Sequence, residues 1–447
     1  MPVATNVSTY SIGSGLVGLR TNIYTFAPNN IDQITSVNAL NVCVSSNSFN
    51  AFHEVVTNVD ALGEATSSIY NSNQQLTETI YPNGLIIKNI YGANDLLASN
   101  IVVGYQTNSY TYANNLVASS MDSRGLNLTY SYDNLNRLTG MTYPDGSTVS
   151  NIYTILDLTA SKDRQSNWTK YGFDSMEHMT SATNALGSVT MYNYCICGSL
   201  ESIIDAQTNV TTFLYDNEGN RTNITYADNY SVIYNYNLLR QEVVNRDSSG
   251  NSVTNVYNNQ GLLVSSANAA GLLVSNIYDA LDRITNSQDA NGVDVASTFD
   301  NLNRVLSKTY PDTGVESFGY TINYPGATSY TNQITNVVLY GYDLLNRKTN
   351  EVFMGVSTNN SVFDGPGDLL KLIDGKSNTT TWQYDAYGRV TNKLDATGTS
   401  ILSYQYDSDN RLTNRWSLAK GNTAYAYDGV GNLTNVSYPV SHGIQYA

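Results

Sequence analysis

The chain has 447 residues, 36 of them tyrosine and only 13% of them charged, with a formal charge of −15 and a pI near 4.5. An aromatic content of 11% argues against disorder, and the acidic balance disfavours nucleic acid and anionic lipid as partners. No apolar run approaches the length of a membrane span. Asn, Ser and Thr fill the polar positions, a mixture suited to strands and turns rather than helices.

Residues 1–48 form a degenerate start. Met1 to Arg20 has neither a basic nor a continuous apolar stretch of the kind a secretory leader needs, so an export signal is expected outside the chain. Phe26 stands two residues out of step with the downstream aromatics. From Phe49 onward aromatics recur at Tyr70, Tyr91, Tyr112, Tyr132, Tyr153, Phe173 and Tyr194, and continue through Tyr427 in steps of 20 to 22 residues. The span from Phe49 to Tyr427 is 378 residues in 18 steps, a mean of 21. Chance would place aromatics at only about two of those positions.

The residues after each aromatic define a turn. Tyr132-Asp133-Asn134-Leu135-Asn136-Arg137, Tyr278-Asp279-Ala280-Leu281-Asp282-Arg283, Tyr384-Asp385-Ala386-Tyr387-Gly388-Arg389 and Tyr406-Asp407-Ser408-Asp409-Asn410-Arg411 share one pattern. Asp opens it, and Gly388, Asn136 or Asn410 holds the fourth place after the aromatic, where φ > 0 is tolerated. That combination predicts a type I turn followed by a left-handed residue, a three-residue hairpin loop with a bulge. Asp133 then faces Arg137, Asp279 Arg283, Asp385 Arg389 and Asp407 Arg411, a repeated cross-strand pair that fixes register. A second aromatic commonly stands two residues earlier, as at Tyr130 and Trp382, which puts both rings on one strand face and predicts aromatic ladders.

Midway between these tips lies a second turn, seen as Tyr81-Pro82-Asn83-Gly84, Tyr143-Pro144-Asp145-Gly146 and Asp395-Ala396-Thr397-Gly398. Two turns per repeat leave about six or seven residues for each strand and no room for a helix. The segment Tyr320-Thr321-Ile322-Asn323-Tyr324-Pro325 has lost its turn residues and marks a bend or insertion. The expected organisation is one array over 1–447, degenerate over 1–48 and clear over 49–447, with the last repeat truncated after Tyr438-Pro439. Tyr446 holds the paired-ring position there, and the exposed terminal strand edges predict self-association.

The in-register Tyr-Asp-x-x-Gly/Asn-Arg blocks resemble the YD repeats of bacterial Rhs proteins, the cage-forming components of Tc toxin complexes, and teneurins. That resemblance implies an all-β fold: a long antiparallel sheet of β-hairpin repeats, wound spirally as part of a hollow shell that encloses a toxin or effector cargo. It implies an extracellular or cell-surface location, and as partners the remainder of a longer Rhs-like polypeptide and its cargo. The plug segment and self-cleaving aspartyl site that follow the repeats in Rhs shells have no counterpart here.

Little in the sequence points to catalysis. Only His53, His178 and His442 are available as imidazole bases, with no nucleophile elbow, P-loop or dinucleotide fingerprint; Gly13-Ser14-Gly15 and Gly365-Pro366-Gly367 are isolated glycine pairs. No cofactor or metal is expected. Cys195-Ile196-Cys197 replaces the usual tip residues without enough further ligands for zinc, and three cysteines are too few for a disulfide framework. The reading is therefore a non-enzymatic wall of a β-shell, with a surface adhesion or carbohydrate-binding module, able to bind glycans, as the alternative.

Overall fold

The computed structural model describes residues 1–11, 17–322, 324–439 and 444–445. Gly13-Ser14-Gly15, Asn323, His442 and Tyr446 lie outside the described residues. Among those described, every regular element is a strand, most of five to seven residues. The chain divides into two compact units, Met1–Lys88 with Phe213–Val356 and Asn89–Thr212 with Ser357–Ala447.

Within each unit, consecutive strands pair antiparallel in the order of the chain. In a representative hairpin, strand Asn127–Tyr132 runs against Leu138–Thr142 with Tyr130 opposite Met141 and Tyr132 opposite Leu138, and the register shifts by one residue between Ser131 and Tyr132. That shift is the bulge expected of a three-residue loop. The Asp133 N–H donates to the Arg137 carbonyl and the Asn136 N–H to the Asp133 carbonyl, while Asn136 takes φ of 62°. The fold is thus all-β, a long antiparallel sheet of repeated hairpins.

The left-handed position is less selective than the sequence suggests. Besides Gly and Asn, it holds Gln74, Asp95, Glu177, Arg240 and Asp282 at φ between 59° and 65°. A side chain in this region costs about 1–2 kcal/mol, which the hydrogen bonds of the turn offset. The Tyr112 and Tyr153 repeats shorten the tip instead, with Ala113 opposite Leu116 and Thr154 opposite Asp157.

Strands alternate half-buried and exposed residues, as in Asn127–Tyr132, where Tyr130 and Tyr132 share the half-buried face. No large side chain among the described residues is fully buried. Within each unit the described strands therefore do not enclose a core of the kind a sandwich has.

What joins one hairpin to the next is the repeat tyrosine. Pairing between Leu116–Met121 and Asn127–Tyr132 runs only from Ser119 opposite Thr129 to Met121 opposite Asn127, close to the second turn. Toward the tip the strands part, and Tyr132 Oη donates across the gap to the Val117 carbonyl at 3.0 Å. The same bond recurs from Tyr70 to Val55, Tyr112 to Leu97, Tyr194 to Met179, Tyr278 to Leu263, Tyr384 to Leu369 and Tyr427 to Leu412. Each satisfies a carbonyl that the parting ladder leaves behind. Tyr132→Phe should therefore cost about 1 kcal/mol, the net worth of one hydrogen bond, and Tyr132→Ala about 2–4 kcal/mol, somewhat below a fully buried aromatic truncation. Asn134→Ala, at the exposed tip, should change stability by less than about 0.5 kcal/mol; equal midpoints for all three in denaturant unfolding would contradict this role for the ring.

Candidate functional site

The residues with the richest chemistry lie at the hairpin tips. Where an aspartate opens the tip, it divides its two oxygens between separate tasks. Asp133 Oδ1 accepts the N–H groups of Leu135 and Arg137, at 2.9 and 3.0 Å, and Oδ2 accepts Nε of Arg137 at 2.8 Å. Asp279 and Arg283, Asp385 and Arg389, and Asp407 and Arg411 repeat the arrangement, with Nε to Oδ2 distances of 2.7 to 2.8 Å. Asp300 with Arg304 and Asp343 with Arg347 do the same.

Five of these arginines, Arg137, Arg283, Arg304, Arg389 and Arg411, also reach the following repeat, which the sequence pattern did not reveal. Arg389 Nη1 donates at 3.0 Å to the Asp407 carbonyl and to Asn410 Oδ1, and its guanidinium lies 4.9 Å from the centre of the Tyr406 ring. Arg411 bonds the Asp428 carbonyl and covers Tyr427, Arg283 bonds Asp300 and covers Phe299, and Arg137 bonds Ile155 and covers Tyr153. In these repeats, therefore, the expected stacking of ring on ring is replaced by a ladder in which arginine covers ring. A guanidinium bridges the spacing between successive rings and satisfies a carbonyl at the same time. His178 takes the arginine position in its own repeat, 3.1 Å from Asp174 Oδ2 and stacked 4.7 Å from Tyr194.

The Cys195-Ile196-Cys197 tip is joined by a disulfide between its two cysteines, so these thiols are not free ligands. Cys195 Sγ accepts the N–H groups of Cys197 and Ser199, standing in for the aspartate oxygen. The bridge closes a single loop and ties no two strands together. Cys43 is exposed and free. His53 meets Asp32 at 3.0 Å, linking two neighbouring tips. Among the described residues, no group of three or more His, Cys, Asp and Glu side chains is arranged to hold a metal ion.

Tips have a further role where distant stretches meet. In the unit of Asn89–Thr212 with Ser357–Ala447, second turns of the earlier stretch dock on tips of the later one, about 245 residues downstream. Arg124 Nε donates to Asp368 Oδ2 at 2.9 Å, and the Arg164 N–H donates to Asp409 Oδ1 at 3.1 Å. The Arg164 side chain is 5% exposed, lying 3.8 Å over Tyr143 and 4.9 Å from Tyr387, with Asp145 Oδ2 accepting from it at 2.7 Å. In the unit of Met1–Lys88 with Phe213–Val356, Arg20 pairs with Asp282 at 2.8 Å and Asn83 Nδ2 donates to the Leu344 carbonyl. The worn repeat keeps its links despite its lost turn: Arg304 covers Tyr320 and donates to the Tyr324 carbonyl, and Tyr324 stacks on Tyr342.

The aspartates titrate accordingly. The backbone N–H of Arg137, with its guanidinium, holds the Asp133 carboxyl below the usual range. At Asp300 and Asp407 partial burial pushes upward, but the N–H and guanidinium of the paired arginine outweigh it and leave both carboxyls lowered. Asp409 is raised, by burial first and then by Asp163 nearby.

Residues 110–148 match the RHS Repeat family model. That stretch includes Tyr130, Tyr132, Asp133 and Arg137, and the same register continues on either side. The tip chemistry recurs along the described residues in a tandem array of antiparallel hairpins. Over residues 110–148 the chain is similar to RHS-repeat proteins.

Its fold is shared with the crystal structure of TcdB2-TccC3-Cdc42, at 10% identity and a TM-score of 0.62 over 97% of this chain and 34% of that one. The crystal structure of TcdB2-TccC3-TEV gives 0.63 at 10% identity, over 100% and 31%. The Tc holotoxin pore of Photorhabdus luminescens gives 0.53 at 11% identity, over 100% and 31%. The chain thus spans about a third of the length of the structures it matches. No curated protein matches it in sequence.

Two measurements test these roles of the tip residues. Gly388 and Gly398 have φ of 75° and 83°, but a Cβ at Gly388 would press within 3.3 Å of the Arg124 guanidinium whereas Gly398 faces open space. Gly398→Val should cost about 1 kcal/mol of backbone strain and Gly388→Val about 1–2 kcal/mol more from overpacking; equal losses in thermal unfolding would mean that the seam contact is absent. The lowered carboxyls at Asp133, Asp300 and Asp407 contribute stability that is present above the unfolded carboxylate value of about 4 and is lost as pH falls through their folded values. An acid titration followed by circular dichroism should show a plateau down to about pH 4 and a fall below it, with Asp407→Asn flattening the fall.

Proposed function

We propose that this array is a structural wall, a segment of a spirally wound β-shell that encloses a toxin or effector polypeptide and performs no chemistry of its own. The observation that carries the reading is the seam. Inside each unit, stretches of the sheet about 245 to 260 residues apart are joined at hairpin tips, by the second-turn residues Asn83, Arg124 and Arg164 and by Arg20 of strand Val17–Phe26. A sheet that returns on itself after roughly a dozen repeats and joins edge to edge builds height without building a core. That suits a container.

The likeness to structures containing TcdB2 and TccC3 supports the same reading at the level of fold. The densest chemistry, at Asp133, Arg137, Asp279, Arg283, Asp385, Arg389, Asp407 and Arg411, is consumed in hydrogen bonds that set the register of hairpins. These positions, with Tyr132, Tyr278, Tyr384, Tyr406 and Gly388, are structural in this proposal, and residues 1–447 form one array. A shell of this kind acts outside the producing cell or at its surface, as part of a longer Rhs-like polypeptide.

The test is protection. An unfolded reporter peptide fused after Ala447 should resist a soluble protease while the array is intact, and should be degraded when Arg164→Ala opens the seam. Equal degradation in both, together with glycan-array binding by the intact chain, would replace the shell with an adhesive surface.

A further inference from the structure

The disulfide between Cys195 and Cys197 is not what shapes its tip. It spans a single residue, and closing so short a loop removes little freedom from the unfolded chain. The backbone already makes the turn: the Cys195 N–H donates to the Ser199 carbonyl and the Gly198 N–H to the Cys195 carbonyl, both at 2.9 Å, with Gly198 at φ of 85°. The tip from Asp385 to Arg389, which has no cysteine, makes the same two bonds at 3.0 Å. Reduction of the disulfide should therefore leave the hairpin in place.

The two sulfurs stand in different surroundings. Cys195 Sγ accepts the N–H groups of Cys197 and Ser199, at 3.1 and 3.2 Å, in the place where Asp133 Oδ1 accepts those of Leu135 and Arg137. That place favours negative charge, since backbone N–H groups so arranged hold the Asp133 and Asp174 carboxyls below the usual range. A thiolate at Cys195 is stabilised by the same donors. Cys197 lies outside this cradle, exposed, next to the fully exposed Ile196. Its position, third after the repeat aromatic, borders open space even where tips are joined across a seam: Leu302 lines a cavity of about 280 Å³ and Val430 a gap of about 660 Å³. Access to this sulfur thus does not require a free edge.

We propose that this tip is a thiol–disulfide exchange site whose substrate is a cysteine-bearing polypeptide. A substrate thiolate attacks Cys197 Sγ; a bond forms between the two sulfurs, and the bond between Cys195 and Cys197 breaks with its electron pair leaving on Cys195 Sγ. A second substrate thiolate attacks the substrate sulfur of this mixed disulfide and releases Cys197. Two substrate thiols become one disulfide, and their two electrons and two protons convert the protein disulfide into two cysteine thiols. Attack falls on Cys197 because the better-stabilised thiolate, Cys195, is the faster leaving group. Ile196 supplies an apolar contact that favours a polypeptide over a small thiol.

The test uses the full chain with Cys43→Ser, which removes the free thiol. In oxidised form it is incubated with a reduced peptide containing two cysteines, or with glutathione, then alkylated and measured by mass spectrometry. Two alkyl groups should appear on the chain for each peptide disulfide formed, while the circular dichroism spectrum and the denaturant midpoint remain those of the oxidised chain. Ile196→Ser should slow the peptide several-fold and leave glutathione unchanged. In single-cysteine variants, ultraviolet absorbance should show the Cys195 thiolate of Cys197→Ser persisting at least about one pH unit below the Cys197 thiolate of Cys195→Ser, a tenfold difference in proton concentration. A disulfide that neither thiol reduces, a midpoint that falls on reduction, or equal thiolate titration in the two variants would overturn the proposal. Reaction with glutathione but not with the peptide would overturn the polypeptide as substrate.

Discussion

The structure depends on one carboxylate geometry. An aspartate at the start of many tips places one oxygen on two backbone N–H groups of its own turn and leaves the other free for a cation or amide across the strand. The first oxygen fixes the turn, and the second recruits the residue that connects it to the next repeat. Where that residue is asparagine instead of arginine, as at Asn220 and Asn432, the amide still bonds the aspartate at 2.8 and 3.0 Å. Such tips keep their shape without an arginine.

The arginine-bearing tips bind their neighbours, and this explains how a sheet without a core stays folded. Within each unit hydrophobic burial is modest, and no large side chain among the described residues is fully enclosed. Stability must come instead from many small, regularly placed contacts: a tyrosine hydroxyl on a carbonyl, a guanidinium on a ring, and an amide on a carboxylate. Each is worth about 1 kcal/mol or less in isolation. A repeat array adds them along its length as nearest-neighbour terms, so one worn repeat such as Tyr320–Pro325 is tolerated when its neighbours remain tied.

The same tip serves two directions. Along the sheet it connects successive hairpins through Arg389 or Arg411, and across the seam it receives a turn from a stretch 244 or 245 residues away, as Asp368 receives Arg124 and Asp409 the Arg164 N–H. Glycine at 388 fits both uses, since its left-handed backbone needs no Cβ and a Cβ there would crowd Arg124. At these tips the paired aspartates and arginines are engaged in holding the sheet.

The sequence by itself determined the period, the two turn types, the strand lengths and the pairing of Asp133 with Arg137, because these are local. Turn residues and side chains four positions apart act within a single hairpin, and a mean spacing of 21 residues repeats the message until it cannot be mistaken. Only the tertiary structure decided what lies over each ring, since Arg389 and Tyr406 look unrelated until two hairpins stand side by side. Likewise only the tertiary structure revealed the seam: which second turn meets which tip depends on twist and bulge accumulated over a dozen hairpins, and no short pattern encodes a sum of small rotations. Arg164 illustrates the limit, reading in the sequence as one more polar turn residue and proving in the fold to be buried between Tyr143 and Tyr387.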